Sequence, residues 1–311
     1  MNPPASGRLH FARPLPPLPG LDEGLGSQIK NRSLWADARR RFGRNRAALA
    51  SLVILALIVA LCLLGQSLSP YNFEDSDFTA MQAAPDFEAR HWFGTDDLGR
   101  DLFVRTLLGG RISLMVGALG ALVAVVIGTL YGAISGYAGG TTDSLMMRSL
   151  EILSSFPFMF LVILLMTFFG RELWLIFIAI GAVSWLDLAR IVRGQTLSLK
   201  RKEFVEAARV CGVPNFAIIT RHIVPNVLGL VVVYATLLVP SMILSESFLS
   251  YLGLGVQEPM TSWGALLEQG AKAIETSPWE LGFPAAFLVT TLFCFNFIGD
   301  GLRDALDPKD R

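Results

Sequence analysis

Side chains able to do chemistry are few, and their spacing argues against most of it. There is no GxxxxGK[ST] loop, and the dipeptide Gly-Lys does not occur in the 311 residues, so the chain lacks a cradle for ATP phosphates. HExxH is also missing, and His10, His91 and His222 form no acid–base pair by spacing. Cys62, Cys211 and Cys294 include no CxxC pair, which suggests small buried side chains rather than a zinc site or disulfide framework. In the stretch Gly132-Ala133-Ile134-Ser135-Gly136 the serine stands one position too late for GxSxG. Its place at the end of an apolar helix favours packing over nucleophilic chemistry.

Three residues inside apolar runs are the remaining polar or irregular features of interest. Glu246 stands where an ionisable group is costly and usually faces a cavity or partner. It is either a pathway or gate residue, or an interfacial one if its helix stops earlier, and the flanking Ser245, Ser247 and Ser250 favour the latter. Pro240 bends the same run, as cavity-lining or moving helices tolerate and as a passive kink would equally do. Asn296 shares a helical face with Asp300, which suits hydrogen bonding between helices or capping of the bundle better than substrate contact. Asp187 and Arg190, three apart, suit a local ion pair.

These residues sit in a chain that is 52% hydrophobic and only 17% charged, with 26 basic and 26 acidic residues. That is too little charge for an ordinary water-facing surface and too little basic excess for a nucleic-acid binder. A bilayer span needs roughly 20 mostly apolar residues. Candidates cover 47–65, 112–136, about 149–170, 173 to about 189, about 227–250 and about 283–300. Six spans are therefore expected, in an all-α polytopic membrane protein. The third and fourth, separated only by Gly170, Arg171 and Glu172, form a tight helical hairpin. The first run is a retained anchor, since the 46 residues before it are too many for a signal-peptide n-region.

The leading segment divides in two. Residues 1–32, with six prolines in the first twenty positions, read as a disordered tail. Residues 33–46 open on Ser33, a candidate N-cap, and carry Arg39, Arg40, Arg41, Arg44 and Arg46 against Asp37. This suits a basic helix on an anionic lipid face or a solvated juxtamembrane stretch. With the N-terminus placed in the cytoplasm, 20 of the 26 basic residues lie inside, and six spans return the C-terminus there too. The inner side then has 12 acids and the outer side 14, so the zero net charge is a basic inner face balanced by an acidic outer one.

The most informative segment, 190–225, lies between spans four and five. Glu203 to Cys211 has helix-forming residues with acids in the first turn, Gly212 is placed to end the helix, and Pro214 to open another. Phe204, Ala207, Ala208 and Cys211 fall at i, i+3, i+4 and i+7, giving a face of mostly small residues. Periodicity alone suits equally a groove on a soluble partner and the lipid headgroups. The outer segment 66–110 holds eight acids, Trp92 and Phe93, and is either an interfacial loop or a small cap. Within it Thr95, Asp96 and Asp97 are candidate caps for a helix over 98–108.

Glu206-Ala207-Ala208, Gly212, Ile223 and Pro225 resemble the EAA loop of inner-membrane permease subunits of binding-protein-dependent ABC importers. Val224 departs from that pattern, where Leu usually precedes the proline. The element GTDDLGRD at 94–101, SFLSYLGLGVQEPMTSWG at 247–264, GDGLRDALDP at 299–308 and SLWADARRRFGRNRAA near the start resemble the dipeptide and oligopeptide branch, in particular its C-type subunits. The likeness runs from about residue 33 to the end.

The resemblance implies a type I ABC importer permease fold. It divides the chain into a tail (1–32), a basic helix with the first span and outer loop (33–108), a five-helix permease domain (109–303) and a C-terminus (304–311). It implies a non-catalytic subunit of the bacterial inner membrane that binds no cofactor itself. Two ATP-binding subunits use ATP and Mg, a homologous second permease completes the pathway, and a periplasmic binding protein delivers peptide. The EAA helix, carried onto Glu203, Phe204, Glu206, Ala207, Ala208 and Gly212, docks in an ATPase groove. Pro240, Glu246 and Asn296 are the candidate pathway residues. Other cargo (dipeptides, glutathione, nickel complexes, peptide antibiotics) and a stand-alone membrane enzyme or signalling protein are the alternatives.

Overall fold

The computed structural model describes residues 34–170 and 173–306. The proposed tail, 1–32, the Ser33 cap and the last five residues of the C-terminal segment lie outside the described residues. Two isolated β-bridges apart, the regular structure described is helical. In chain order the elements are α1 (Leu34–Phe42), α2 (Arg46–Leu64), α3 (Leu102–Ala138), α4 (Gly140–Ser154), α5 (Phe158–Phe169) and α6 (Leu173–Leu199). There follow α7 (Glu203–Val210), α8 (Asn215–Ile218), a π-helical turn over Ile219–Ile223, α9 (Val224–Tyr251), α10 (Trp263–Lys272) and α11 (Pro278–Leu306).

The basic stretch forms α1, and Asn45 then caps α2 by accepting a 3.1 Å hydrogen bond from the Ala48 backbone N–H. Four helices or continuous helical runs are long and apolar enough to cross a membrane: 46–67, 102–138, 215–251 and 278–306. Among the described residues a bent pair, α4 with α5, could supply a fifth crossing. The span expected over about 149–170 is not one continuous helix, because the two pieces meet at 82°. The break falls at Ser155–Pro157, where proline has no N–H to donate and pushes the preceding residue out of helical conformation. The apolar piece alone has 12 residues, roughly 18 Å and too short to span. Gly170, at φ +97°, ends α5, while the rest of the expected hairpin turn, 171–172, lies outside the described residues.

Two long helices organise the bundle. α3 starts at Leu102, ten residues before the expected span, and has 37 residues, roughly 55 Å. The division drawn at 108/109 falls inside it. Gly128, Gly132 and Gly136 lie along its contact with α6. A Cβ on Gly132 would sit 2.3 Å from the Ala189 carbonyl oxygen and one on Gly136 2.8 Å from that of Arg193. Only hydrogen fits there, the close approach that small residues permit between membrane helices. Ser135 of the GxSxG-like stretch is buried and donates to Asp143 Oδ1 at 2.5 Å, in keeping with packing. Asp143 in turn takes both arms of Arg193 at 2.6 Å, joining α3, α4 and α6.

α9 remains one helix through the buried Pro240 and past Glu246 to Tyr251, so the helix does not stop before that acid. It packs on α3 through Met242 and Ile243, which lie against Gly120 and Gly117.

Candidate functional site

The EAA segment is built on the shared end of α3, α6 and α9. α7 has acids in its first turn, Glu203 and Glu206, and Arg209 in its last, as the helix dipole favours. It ends in a Schellman motif: Val213 N–H donates to the Ala208 carbonyl at 3.1 Å and Gly212 N–H to that of Arg209 at 3.0 Å. Gly212 takes φ +75°, open to glycine at no steric cost. Pro214 then stands as N-cap of α8, and the π turn leads directly into α9.

The face that α7 turns inward differs from the expected one. Val205 and Ala208 are buried, in a cluster with Ile218, Ile219, Ile223 and Val227. Ala208 therefore belongs to the inner side, whereas Glu203, Phe204, Glu206, Ala207, Cys211 and Gly212 are exposed. Spacing placed Ala208 with Phe204 because i and i+4 share a face, but Val205, three residues before Ala208, is the larger side chain and takes the core position. The outer side carries apolar residues that spacing did not single out: Val210 is 89% exposed and Phe216 71%, alongside Phe204 at 42%. Their signal was type rather than period, since bulky apolar side chains flank a Gly-Pro turn that water should favour as polar.

Polar contacts fix the segment to the bundle. Tyr137 of α3 donates to Asn215 Oδ1 at 2.9 Å and accepts from Arg209 Nε at 3.3 Å, while the Arg209 guanidinium lies 4.8 Å from its ring centroid. Lys200 Nζ donates to the Gly136 carbonyl at 2.8 Å. Side chains thus tie α7–α8 to α3, and the chain continues from α8 through the π turn into α9. Tyr137 and Asn215 gave no sequence signal, because their bond joins residues 78 apart.

The opposite end of the bundle is a cap made from 65–101 and α10. Asp96 Oδ1 accepts from the backbone N–H groups of Leu98 and Arg100 at 3.0 and 2.9 Å, and its Oδ2 accepts from Arg100 Nε at 2.7 Å. Arg100 also reaches Glu258 at 3.1 Å, and Arg105 reaches Gln269 at 3.3 Å. Burial works to raise the Glu258 carboxyl, but the Arg100 hydrogen bond and the charges of Arg100 and Arg105 hold it below the usual range. The expected capping by Thr95, Asp96 or Asp97 is not what forms. Asp101 is the N-cap, accepting from Val104 N–H at 2.9 Å, and the helix begins only at Leu102. His91 Nδ1 lies 2.9 Å from Asp101 Oδ2, a pairing that spacing did not suggest. Burial raises the Asp101 pKa.

Of the three candidate pathway residues, Glu246 and Pro240 are buried within the chain and Asn296 is exposed on α11, its amide donating to the Leu292 carbonyl of its own helix at 3.0 Å. Asp187 and Arg190 pair at 2.7 Å as expected. Among the described residues no group of three or more His, Cys, Asp or Glu is placed to hold a metal ion.

Comparison with known proteins agrees with this architecture. Residues 102–311 match the family described as binding-protein-dependent transport system inner membrane component, beginning where α3 begins. Residues 33–85 match the N-terminal TM domain of oligopeptide transport permease C. The chain is 69% identical over 284 residues to the oligopeptide transport system permease protein OppC of Haemophilus influenzae, covering 91% of each chain. It is also 69% identical to the Escherichia coli K12 protein of that name, over 91% of this chain and 94% of that one. The dipeptide transport system permease protein DppC of Bacillus subtilis is 46% identical over 90% of this chain and 87% of its own. The chain is a multi-pass membrane protein that belongs to the family of inner-membrane components of binding-protein-dependent transport systems.

Proposed function

We propose that the chain is the C-type permease subunit of an ATP-driven, binding-protein-dependent importer that carries oligopeptides across the bacterial inner membrane. It is non-catalytic. Two ATP-binding subunits use ATP and Mg, a homologous permease supplies the other half of the pathway, and a periplasmic binding protein presents the peptide. Its six spans are α2, α3, the bent α4–α5 pair, α6, α9 and α11, with both termini in the cytoplasm, a sidedness that rests on the placing of 20 basic residues. Oligopeptide cargo rests on the 69% identity to permeases named for it.

The observation that carries the coupling role is the exposure of Phe204, Val210 and Phe216 on a segment otherwise tied to α3 and α9. Exposed apolar side chains beside Glu206, Ala207 and Gly212 suit a groove on an ATP-binding subunit, which would drag the spans as it closes. Asn296, exposed on α11, is the candidate residue left to face the pathway. The test is peptide uptake with a length series in cells lacking this gene, complemented by wild type, Glu206→Lys or Gly212→Pro. Both variants should reach the membrane yet fail to restore uptake. Uptake retained by both, with the ATP-binding subunits still co-purifying, would overturn the coupling role.

A further inference from the structure

Glu246 is fully buried, and its partners come from three elements. Ser113 of α3 donates to Oε2 at 2.9 Å, and Ser250, one turn along α9, donates to Oε1 at 2.6 Å. Ser250 Oγ lies 3.2 Å from Ser262 Oγ. Ser262 is the N-cap of α10, accepting from Ala265 N–H at 3.2 Å. The next residue, Trp263, is 0% exposed; its backbone N–H donates to Ser113 Oγ at 3.2 Å and its indole N–H to the Thr106 carbonyl at 3.0 Å. Carboxyl, three hydroxyls and the Trp263 backbone N–H form one connected network, and the Trp263 indole pins that residue to Thr106. Apolar packing with Leu or Ala in these places would avoid burying an acid, so the network fixes geometry rather than adding stability most cheaply.

Its position gives that geometry a use. Of the three elements, α10 belongs to the cap. α9 runs from Glu246 back to the π turn and the EAA segment, whose near end at Val224 is 22 residues or roughly 33 Å away. α3 runs beside it from Ser113 to Tyr137, which holds Asn215 of the same segment. The carboxyl therefore joins the cap to both helices that reach the opposite end.

We propose that Glu246 is a positioning residue that locks α10 to α3 and α9, so that docking of the liganded binding protein on the cap is transmitted along these helices to the EAA segment. This gives Glu246 a mechanical role in place of peptide contact, and it rests on the importer reading above. Loss of the lock should leave ATP hydrolysis by the partner subunits intact but deaf to the binding protein.

The test uses the whole complex reconstituted in lipid nanodiscs, with ATPase rates measured alone and with binding protein and peptide. Glu246→Ala should keep the basal rate and lose the stimulated increment. Glu246→Gln, whose amide can still accept from Ser250 and donate to Ser113, should recover most of it. Ser113→Ala, which removes one hydroxyl and leaves the Ser250 bond, carries the test should Glu246→Ala fail to assemble, and it should also lose stimulation. An unchanged increment in an assembled Glu246→Ala or Ser113→Ala complex would overturn the proposal, as would equal proportional loss of basal and stimulated rates. Wild-type complex that showed no stimulation would instead fault the importer reading.

Discussion

The two ends of the bundle are finished in opposite ways. At the cap most of the buried charged and polar groups, Asp96, Arg100, Arg105, Asp101 and His91, bond one another and the backbone, although Arg105 Nη1 and Glu280 Oε1 are buried with no hydrogen-bond partner. At the EAA end only Val205 and Ala208 of α7 turn inward, while Phe204, Val210 and Phe216 stand exposed. A polar network sealed from water finds most of its partners within the chain. Bulky apolar side chains held in water by a well-anchored turn leave hydrophobic free energy unrealised until another surface covers them. The comparison separates a region whose motif maintains a shape from one whose motif offers a surface.

Substitutions can break this contrast from either side. The largest effect is expected at Gly99, where φ is +73° and a Cβ would lie 1.8 Å from the Asp77 carbonyl oxygen. Gly99→Val should cost more than about 3 kcal/mol and prevent the cap from closing, seen as loss of folded protein in membranes or a collapse of thermal stability. Val205→Asp would bury a carboxylate among Ile218, Ile223 and Val227 and should destabilise the EAA segment by several kcal/mol, on the order of 3. Phe216→Ser is the informative opposite. It should change the stability of the isolated chain by no more than about 0.5 kcal/mol, yet abolish uptake in the complex. A Phe216→Ser chain that was itself unstable would mean that the side chain packs within the subunit.

Smaller effects sharpen the picture. Tyr137→Phe removes the bond to Asn215 and the one from Arg209, at about 1 kcal/mol, and should weaken uptake partially while membrane levels hold. Glu258→Gln at the cap should cost under about 1 kcal/mol, as exposed pairs do. Because the folded Glu258 pKa lies below its usual value, its contribution is present above the ordinary carboxylate range and lost as pH falls through the lowered value. A stability difference between wild type and Glu258→Gln should therefore be visible near neutral pH and vanish in acid.

What could be read in the sequence depended on the range of the interaction. The ends of α7 at Glu203 and Gly212 and the Asp187–Arg190 pair are local, and the structure has them as expected. The bend in the third span hung on a proline at 157 flanked by apolar residues, where hydropathy outweighed the missing N–H. Glu246 could not be assigned because its partners Ser113 and Ser262 lie 133 and 16 positions away, and spacing carries no record of such pairings. In the same way the capping role passed from Thr95, Asp96 and Asp97 to Asp101 once Asp96 was drawn to Arg100. Which residues of α7 face outward was half legible, since a helical period fixes a face only when the deeper side chain is known.

If an ATP-binding subunit covers the exposed side of α7–α8, residues on that side must become inaccessible on assembly. The chain carries a native probe for it. Cys211 is exposed in this segment, while Cys62 and Cys294 are buried. The most direct measurement is the rate of maleimide labelling of Cys211 in membranes holding the two permease subunits, with and without the ATP-binding subunits. The account expects fast labelling of the permease pair and strong protection once the ATP-binding subunits are present. Equal labelling rates in a complex shown to be assembled would contradict it.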